Sequence, residues 1–447
     1  MSYEKYRELA KKMIMAGVEA ADPTNSVGNN VRVSDGKLII CDDTYDLEQY
    51  DRVLLFGIGK AATPMCAAFE AILEPDDGLA ITKLGDEISI VETKIPVRRA
   101  YHPEPREVNV ESAREILDMV EAIRPDEKVL VVFMISGGGS ALFTVPPEGI
   151  SIDDMYRLNQ LLMHCGATIY DINTIRKHVS QVKGGRFSQL CAKKGADVAA
   201  LILSDVVGDD LSVIASGPTY MDQSTFDDAI RLMKEYNIWD ETPESIREYM
   251  LKGTQDPSME PPRRVLENTR NYLIGTNMVA MQAAKKVAEE AGLPTMILTG
   301  QNTGEAKYIA RCIMGIAKEI QDSGNPVSPP VALIMGGEMT VTFDWEDRDG
   351  FGPNREFVLA SAIEIANRDS IIVAGVDTDG VDGEGKSGAI ADPRTVHRTE
   401  LSAKYYLDSH NAEIYFDALG DSLEFESRTN VNDLDVIIVL PKGTCTE

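Results

Sequence analysis

The apolar run Val129-Leu130-Val131-Val132-Phe133-Met134-Ile135 leads directly into Ser136-Gly137-Gly138-Gly139-Ser140, and this junction decides the fold. Seven apolar residues, several of them β-branched, predict a buried strand of a parallel sheet. The apolar residues that follow predict that the strand turns into a helix. Glycine lets backbone N–H groups approach an anion closely, and a helix would direct its positive end to the same point. The junction therefore predicts an anion-binding turn rather than a flexible Gly/Ser linker.

The whole chain has the composition of a globular protein, with 447 residues of which 43% are hydrophobic and 26% charged. This length exceeds what a single hydrophobic core supports, which predicts two domains with a cleft between them. The formal net charge of −28 argues against nucleic acid or an anionic membrane as a partner, because both attract basic surfaces. Any basic cluster in so acidic a chain is therefore a candidate anion site.

The pattern of cysteines is typical of a protein from a reducing compartment. The spacing of the histidines argues against a zinc site. The six cysteines form no C-x-x-C pair, and the five histidines are well separated. The start of the chain is charged and helical in pattern, unlike a signal peptide, and no apolar run approaches transmembrane length. We therefore expect a cytoplasmic protein, and the sequence leaves open whether it is a monomer or a homodimer.

A second strand-to-glycine turn lies earlier, where Arg52–Ile58 runs into Gly57-Ile58-Gly59-Lys60-Ala61-Ala62. Its G-x-G-x-x-A pattern is a weak form of the dinucleotide-binding fingerprint, which also needs an acid about 20 residues later. The next predicted strand ends in Lys83 instead, which disfavours a nicotinamide cofactor. Lys60 inside the turn suits a phosphate group, and the alternative is a lysine that only caps a surface turn.

A basic segment, Asn173–Arg186, holds four Lys/Arg residues and one histidine without an acid. On a helix, Arg176, Ser180 and Lys183 would share one face before Gly184-Gly185 ends it. We predict that this face clamps an anion, and the alternative is an ordinary solvated basic face. His102 lies in a proline-rich, rigid segment and is expected either to face a ligand or to have a structural role.

Acidic, glycine-containing loops follow two further predicted strands. Ser204–Asp210 comes directly after an apolar strand, at the end where open α/β sheets bind ligands. Asp205 or Asp209 is a candidate ligand for a divalent cation, and the alternative for each is a helix cap. The later loop Val376–Gly383 begins like an EF-hand, but its later positions depart from that template, so calcium is disfavoured.

The polar, proline-rich segment 254–262 predicts a linker between a domain at 1–262 and a domain at 263–447. Strands and helices continue to alternate beyond this segment, which predicts that the second domain is also of the α/β class.

In their order along the chain, these stretches resemble the glycerate 2-kinase family that carries a C-terminal MOFRL domain. The matching motifs are Gly57–Ala61, Ser136–Ala141, Lys177 with Ser180 and Lys183–Arg186, Ser204–Asp209, Ser216–Thr219, Gly275–Asn277, Gly336–Glu338 and Asp377–Gly380. Each motif is weak alone, but eight in sequence over nearly the whole chain form a specific pattern.

The resemblance implies ATP-dependent phosphorylation of D-glycerate to 2-phosphoglycerate, with Mg²⁺ as the metal. It also implies two α/β domains, the larger N-terminal one Rossmann-like with a mostly parallel sheet, and an active site in the cleft between them. The family's catalytic lysine matches Lys60. Its catalytic arginine falls on Pro353 in this chain, so that Arg355, two positions further on, is the candidate substitute.

The resemblance and the residue patterns together yield three catalytic candidates, Lys60, Arg355 and Asp205. The candidates for binding substrate or phosphate are Gly57, Gly59, Ser136, Gly137, Gly138, Gly139, Ser140, Lys177, Lys183, Gly184, Gly185, Asp209, Thr276, Asn277, Glu338, Asn354, Asp377, Asp379 and His102. The ligands of the metal stay open.

Two other classes of function share some of these features. A hydroxypyruvate reductase using NADH or NADPH would need the Gly57 turn, but this chain lacks the acid that holds the ribose. A non-catalytic module that binds sugar phosphates would keep a glycine turn without requiring the loops at Asp205 and Asp377. The chain contains no Walker motif and no protein-kinase signature, which excludes those families.

Overall fold

The computed structural model describes residues 2–85, 90–342 and 350–445. The helices in these ranges are α1 Tyr3–Ala20, α2 Pro23–Asn30, α3 Ala62–Glu70, α4 Glu107–Glu121, α5 Gly139–Leu142, α6 Ile152–His164, α7 Ile169–His178, α8 Arg186–Lys193, α9 Phe226–Glu235, α10 Glu244–Gln255, α11 Asn277–Glu290, α12 Ala306–Ser323, α13 Pro353–Ile365, α14 Ala403–Asp408 and α15 Ala412–Leu419. The strands are β1 Val31–Ser34, β2 Lys37–Ile40, β3 Asp43–Asp46, β4 Arg52–Ile58, β5 Asp77–Lys83, β6 Val97–Ala100, β7 Val129–Ile135, β8 Asp197–Leu203, β9 Thr269–Gly275, β10 Thr295–Glu305, β11 Val331–Thr340, β12 Ile371–Asp377, β13 Gly388–Ala391, β14 Ser422–Leu423 and β15 Asp433–Val439.

The chain forms two compact units: a first unit of residues 23–274, and a second unit of residues 1–22 together with 275–447. This division differs from the boundary after residue 262 that the sequence predicts. The segment 254–262 lies inside the first unit, where the Glu260 carboxylate accepts the Phe226 N–H at 3.2 Å and lies 3.2 Å from Nε2 of His178. Strand β9 then completes the first unit's sheet before the chain leaves it.

The opening helix α1 belongs to the second unit, although it is separated from the rest of that unit by about 250 residues. Gly17 lies so close to the second unit's core that a Cβ atom there would come within 2.5 Å of Leu434 and 3.0 Å of the Ala280 carbonyl oxygen. Only glycine permits this approach. No local pattern in the sequence predicts that α1 packs against the second unit.

The first unit contains a sheet of six strands in the order β6-β5-β4-β7-β8-β9, and the neighbouring pairs from β6 to β8 are parallel. The predicted mostly parallel sheet is therefore confirmed. Strands β4 and β7 are apolar along their length because helices cover both faces of such a sheet. The order reverses between β4 and β7, and doubly wound sheets bind ligands at this switch point, beyond the carboxyl ends of the strands.

The second unit has a mixed sheet in the order β10-β11-β15-β12-β13-β14, in which only β10 and β11 are parallel. Adjacent residues of β15 point to opposite faces, so Leu434 meets α1 while Asp435 points toward the face that α13 covers. None of the described helices has the length and apolar character needed to cross a membrane.

Candidate active site

Two glycine turns meet at the carboxyl edge of the first unit's sheet, because β4 and β7 are neighbours there. Gly59 has a φ of +114°, and a Cβ atom on it would come within 2.2 Å of the Ser136 hydroxyl oxygen. The Lys60 N–H donates to the Gly137 carbonyl at 2.8 Å, and the Ala61 N–H donates to the Ser136 hydroxyl at 3.0 Å. The two turns predicted separately from the sequence therefore form one interlocked structure.

The two turns differ in the backbone donors that they leave for a ligand. In the first turn, the N–H groups of Gly59, Lys60 and Ala61 all donate to protein oxygens. In the triple-glycine turn, by contrast, the N–H groups of Gly137 and Gly138 donate to no acceptor in the described part of the chain. Of the two turns, only the triple-glycine turn thus keeps backbone donors without an acceptor in the described chain, and the first turn contributes the Lys60 side chain.

The helix predicted after the triple glycine is a single turn, α5, of four residues. So short a helix has little macrodipole, since the effect grows from aligned peptide units. Any anion at this turn would therefore depend on the unpaired N–H groups of Gly137 and Gly138 and on neighbouring side chains.

Three polar side chains crowd the triple-glycine turn. A Cβ atom on Gly137 would come within 2.3 Å of Asp205 Oδ2, and one on Gly138 would come within 3.1 Å of His102 Nε2 and 3.5 Å of Lys60 Cγ. Glycine is required at both positions because these side chains take the space. The structure thus brings together Lys60, His102 and Asp205, which the sequence predicted from three separate segments.

Burial and charge tune two of these side chains. Burial, together with the charges of Lys60 and Lys83, lowers the pKa of His102 to about 4, so its imidazole is neutral at physiological pH. Burial raises the pKa of Asp205, while a backbone hydrogen bond and the Lys60 charge oppose that rise. Lys60 is therefore the positive centre of this group.

A cavity of about 250 Å³ adjoins the triple-glycine turn and is lined by His102, Gly138, Ser140, Arg176 and Lys183. Its remaining wall is largely apolar and comes mainly from α6. A cavity of this size suits a small molecule, and its two basic side chains suit a carboxylate.

The two basic side chains of the cavity are held in place by hydrogen bonds. Arg176 Nε donates to Asn159 Oδ1 of α6 at 2.9 Å. Lys183 Nζ donates to the carbonyl oxygens of Ser140 and Phe143, the latter at 3.2 Å. The Lys183 residue is only 3% exposed, and burial together with the Arg176 charge lowers its pKa to about 7. Asn159 carries no sequence signal, since it lies on an ordinary amphipathic helix.

The prediction that Arg176, Ser180 and Lys183 share one helix face is wrong, because α7 ends at His178. Beyond it, the Ser180 hydroxyl accepts the N–H groups of Val182 and Lys183, each at 3.2 Å, and this local turn competes with helix. The loop nevertheless brings Lys183 to the same cavity as Arg176.

Lys177, Gly184 and Gly185 are not among the residues that line this cavity. Lys177 Nζ lies 3.7 Å from a carboxylate oxygen of buried Asp222 and lines a different cavity, of about 300 Å³. The N–H groups of Gly184 and Gly185 donate to the carbonyls of Ser216 and Gly217 at 3.0 and 2.7 Å, so they are used within the fold.

Hydrogen bonds also connect the triple-glycine turn to the basic segment. The Ser140 and Ser216 hydroxyl oxygens lie 2.7 Å apart, and Ser216 donates to Asn173 Oδ1 at 2.7 Å. Asp209, in the loop after β8, is half-buried at a φ of +56°, and burial raises its pKa. No sequence pattern indicated the hydrogen bond between Ser216 and Asn173.

Several candidates of the second unit have structural contacts. Thr276 caps α11 by accepting the Val279 N–H at 3.3 Å. Asn277 is 9% exposed and donates to the carbonyls of Val431 and Asp433, both at 2.7 Å. These bonds connect the start of α11 to the segment that leads into β15.

The other acidic candidates of the second unit lie on or after its strands. Glu338 is exposed on β11. The Asp379 N–H donates to Asp377 Oδ1 at 3.0 Å, and the Val381 N–H donates to Asp379 Oδ1 at 2.8 Å, so the loop after β12 folds on its own carboxylates. Burial and the nearby charges of Asp379 and Asp433 raise the pKa of Asp377.

Arg355 does not have the environment of a phosphate clamp. It is completely buried in the first turn of α13, and its Nε donates to Asp382 at 3.1 Å. Its other guanidinium nitrogens donate to Glu413 and to the carbonyls of Phe351 and Asp382. A guanidinium that is engaged on all three nitrogens holds the fold together, which contradicts the expectation of a ligand-facing arginine.

Beside Arg355 lies a buried acidic cluster that the sequence analysis missed. Asn354 donates to Asp433 at 2.6 Å and to Asp382 at 3.2 Å. Both carboxylate oxygens of Asp435 are buried without a hydrogen-bond partner among the described residues, and burial raises its pKa well above the usual range. Two aspartates in the otherwise apolar strand β15 are the signal from which this cluster was predictable.

Comparison with known proteins places these features in a family. Residues 9–251 match the domain of unknown function DUF4147, and residues 331–433 match the MOFRL family. The chain is 38% identical to a glycerate 2-kinase of Pyrococcus horikoshii, over 98% of both chains. It is 34% identical to a putative hydroxypyruvate reductase of Agrobacterium vitis, over 97% of this chain and 94% of that one. The crystal structure of a glycerate kinase from Thermotoga maritima superposes with a TM-score of 0.85 at 34% identity, over 98% of this chain and 100% of the other.

Proposed function

The chain belongs to the glycerate 2-kinase family, and from that premise we propose that it transfers a phosphoryl group from ATP to D-glycerate and forms 2-phosphoglycerate. The observation that carries the proposal is the triple-glycine turn, whose Gly137 and Gly138 N–H groups have no protein acceptor in the described chain. Lys60 lies beside this turn, and the cavity lined by Arg176 adjoins it. The triple-glycine turn fits the phosphate chain of ATP, and the cavity fits a small carboxylate.

On the nucleotide side, the proposal makes the triple-glycine turn an anion cradle and assigns the transferred phosphoryl group to it and to Lys60. Phosphoryl transfer requires positioning and positive charge near the equatorial oxygens of phosphorus more than covalent chemistry. The two N–H donors supply the positioning, and the Lys60 ammonium supplies the charge. His102, neutral at physiological pH, adds polarity beside Gly138 without a competing charge.

On the acceptor side, the proposal assigns the glycerate carboxylate to Arg176. A guanidinium binds a carboxylate through paired hydrogen bonds, and Asn159 holds Arg176 through its Nε. A carboxylate anchored there has its adjacent C2 hydroxyl closer to the cradle than its C3 hydroxyl. A misplacement of about 1 Å costs on the order of 100-fold in rate, so this anchoring favours phosphorylation at C2.

Mg²⁺ enters the proposal through Asp205. The described residues contain no group of three or more His, Cys, Asp or Glu side chains arranged to hold a metal. Mg²⁺ in kinases is commonly held by one or two carboxylates together with the substrate's phosphates, so a single carboxylate beside the cradle fits this mode. The ion would supply charge that neutralises the phosphate oxygens.

The remaining candidates, Asp209, Thr276, Asn277, Glu338, Asn354, Asp377 and Asp379, keep only the roles in nucleotide or substrate binding that the sequence predicts, and the proposal assigns them no step. Arg355 is left out of the catalytic set, because its guanidinium is already engaged.

One set of mixing experiments tests the proposal. Purified protein is incubated with D-glycerate, Mg²⁺ and ATP, and the product is passed to enolase alone. Formation of phosphoenolpyruvate supports phosphorylation at C2, whereas a requirement for added phosphoglycerate mutase indicates C3. The same protein is given hydroxypyruvate with NADH or NADPH, and reduction there without ADP formation in the first assay refutes the proposal.

A further inference from the structure

Lys183 lies on the acceptor side of the site, and we propose that its amine accepts the proton of the substrate hydroxyl during phosphoryl transfer. The inference rests on the proposed function and assigns Lys183 a role different from the phosphate-binding role that the sequence predicts. It draws on the hydrogen bonds of Lys183 Nζ, on its burial and on the cavity that it lines.

The hydrogen bonds of Lys183 Nζ leave one position on this nitrogen unengaged, and in the neutral amine that position is a lone pair. A neutral primary amine has two N–H groups and one lone pair, whereas an ammonium has three N–H groups and no acceptor. Lys183 Nζ contacts two carbonyl oxygens, those of Ser140 and Phe143. These acceptors take both N–H groups of the neutral form and leave its lone pair as the one unengaged position of a group that lines the cavity.

Burial first, and then the charge of Arg176, lower the pKa of Lys183 and so make the neutral amine accessible at working pH. Arg176, from α7, lines the same cavity and disfavours a second positive charge. From the segment after β6 come His102, whose imidazole is neutral, and Glu104, which accepts a hydrogen bond from Gln160 at 2.8 Å. The α6 side chains of the cavity carry no charge. With a pKa of about 7, Lys183 is poised between its two forms, as an efficient general base requires.

The proposed step balances as follows. The O–H bond of the C2 hydroxyl breaks and its proton binds the lone pair of Lys183 Nζ. The hydroxyl oxygen forms a bond to the γ-phosphorus, and the bond from that phosphorus to the bridging oxygen breaks, so that its electron pair leaves with ADP. Lys183, now an ammonium, releases the proton to solvent after the products depart.

The position of Lys183 relative to Arg176 supports this assignment over the other two titratable groups of the site. Both side chains line one cavity, so a carboxylate on Arg176 brings the neighbouring hydroxyl toward Lys183. His102, with a pKa of about 4, is a weak base. Asp205 lies against Gly137, on the phosphate side of the turn.

Two variants of Lys183 test the inference. Lys183→Met removes the base but keeps the length of the side chain, and Lys183→Arg keeps hydrogen-bond donors but is permanently charged and cannot accept a proton. For each we measure kcat and kcat/KM for D-glycerate between pH 5.5 and 9, together with the Kd for glycerate by calorimetry. Lys194→Met is the control, since the partly exposed Lys194 directly follows α8 and does not line the cavity.

We expect the wild type and Lys194→Met to show a kcat/KM that rises with pH and levels off with an apparent pKa near 7. Both Lys183 variants should lose at least about 100-fold in kcat, and their kcat/KM should no longer rise with pH around 7. The Kd for glycerate should change less than about threefold. Unchanged glycerate binding also shows that the variants are folded. Lys183→Met is expected to be the less stable of the two variants, because it leaves the Ser140 and Phe143 carbonyls without a donor. Lys183→Arg therefore tests the same role if Lys183→Met does not fold.

The opposite results separate two failures. If the wild type phosphorylates glycerate and either variant keeps both its kcat and the rise of kcat/KM with pH, Lys183 is not the base. A Kd raised more than about tenfold with kcat retained at saturation would make Lys183 a carboxylate anchor instead. If the wild type does not phosphorylate glycerate at all, the proposed function itself fails and the proton-acceptor role fails with it.

Discussion

Replacing Lys60 by alanine removes the charge that the proposed mechanism places beside the transferred phosphoryl group. One charged contact made in the transition state is worth about 3–4 kcal/mol, which corresponds to a loss of at least about 100-fold in kcat. The fold should survive, because the Lys60 N–H that holds the two turns together donates from the backbone and is unaffected. The side chain itself is half-buried and forms no ion pair with a described residue.

The site offers a second, independent measurement of the same substitution. Burial is the largest cause of the low pKa of His102, followed by the charges of Lys60 and Lys83. Lys60→Ala should therefore raise the pKa of His102 from about 4 part of the way toward its ordinary value, which NMR titration of the imidazole measures. The matched control is Lys83→Ala, which removes the other charge near His102.

The two variants are expected to differ in rate while they agree in titration. Lys83→Ala should raise the pKa of His102 in the same direction but keep kcat within about fivefold, since the proposal places Lys60 alone on the phosphoryl group. ATP turnover is measured at saturating D-glycerate and Mg²⁺ for both. Near wild-type turnover in Lys60→Ala, in a protein whose His102 titration has shifted, would refute the assigned role while showing that the substitution reached the site.

Three further predictions concern the cradle and the second unit. Gly138→Ala should lower kcat at least about tenfold, because a Cβ atom at a φ of +80° is strained and comes within 3.1 Å of His102 Nε2; wild-type turnover in this variant would contradict the cradle. Arg355→Ala removes the guanidinium from the buried carboxylate of Asp382 and from the partly exposed carboxylate of Glu413, so urea unfolding should show a loss of about 3–5 kcal/mol, whereas a large fall in kcat at unchanged stability would restore the phosphate clamp. Burial raises the pKa of Asp435, so the folded state keeps a proton that the unfolded chain has released, and stability should fall as pH rises above about 4 toward the folded pKa. Asp435→Asn should reduce that slope, to which the raised pKa of Asp377 also contributes, and should be more stable than the wild type at pH 8, and a variant less stable than the wild type at every pH would contradict the reasoning.

Much of the first unit was predictable because its signals are local. Twelve consecutive residues, the apolar run of β7 and the Ser/Gly segment after it, predict a buried parallel strand that ends in a glycine turn. The same applies to β4 and the Gly57 turn. The carboxyl ends of parallel strands share one edge of a sheet, so the positions of Lys60 and Asp205 directly after predicted strands are consistent with their place near the triple glycine in the structure.

Contacts between distant residues decided what the sequence patterns did not. Arg355 looks like a helix-start arginine in sequence, but its partners Asp382 and Glu413 lie 27 and 58 positions further on, and they make it a buried structural residue. The basic segment has helical spacing throughout, yet the Ser180 hydroxyl stops the helix and a loop delivers Lys183 to its two carbonyls.

The sequence by itself therefore determined most of the element types, the mostly parallel sheet and the two glycine turns, since propensity and periodicity act over neighbouring residues. The tertiary structure alone decided that α1 joins the second unit, that Lys183 reaches the cavity of Arg176, and that Asp435 is buried without a partner in the described chain. The physical reason is that burial and side-chain pairing depend on which segments pack together, and those segments lie tens to hundreds of residues apart.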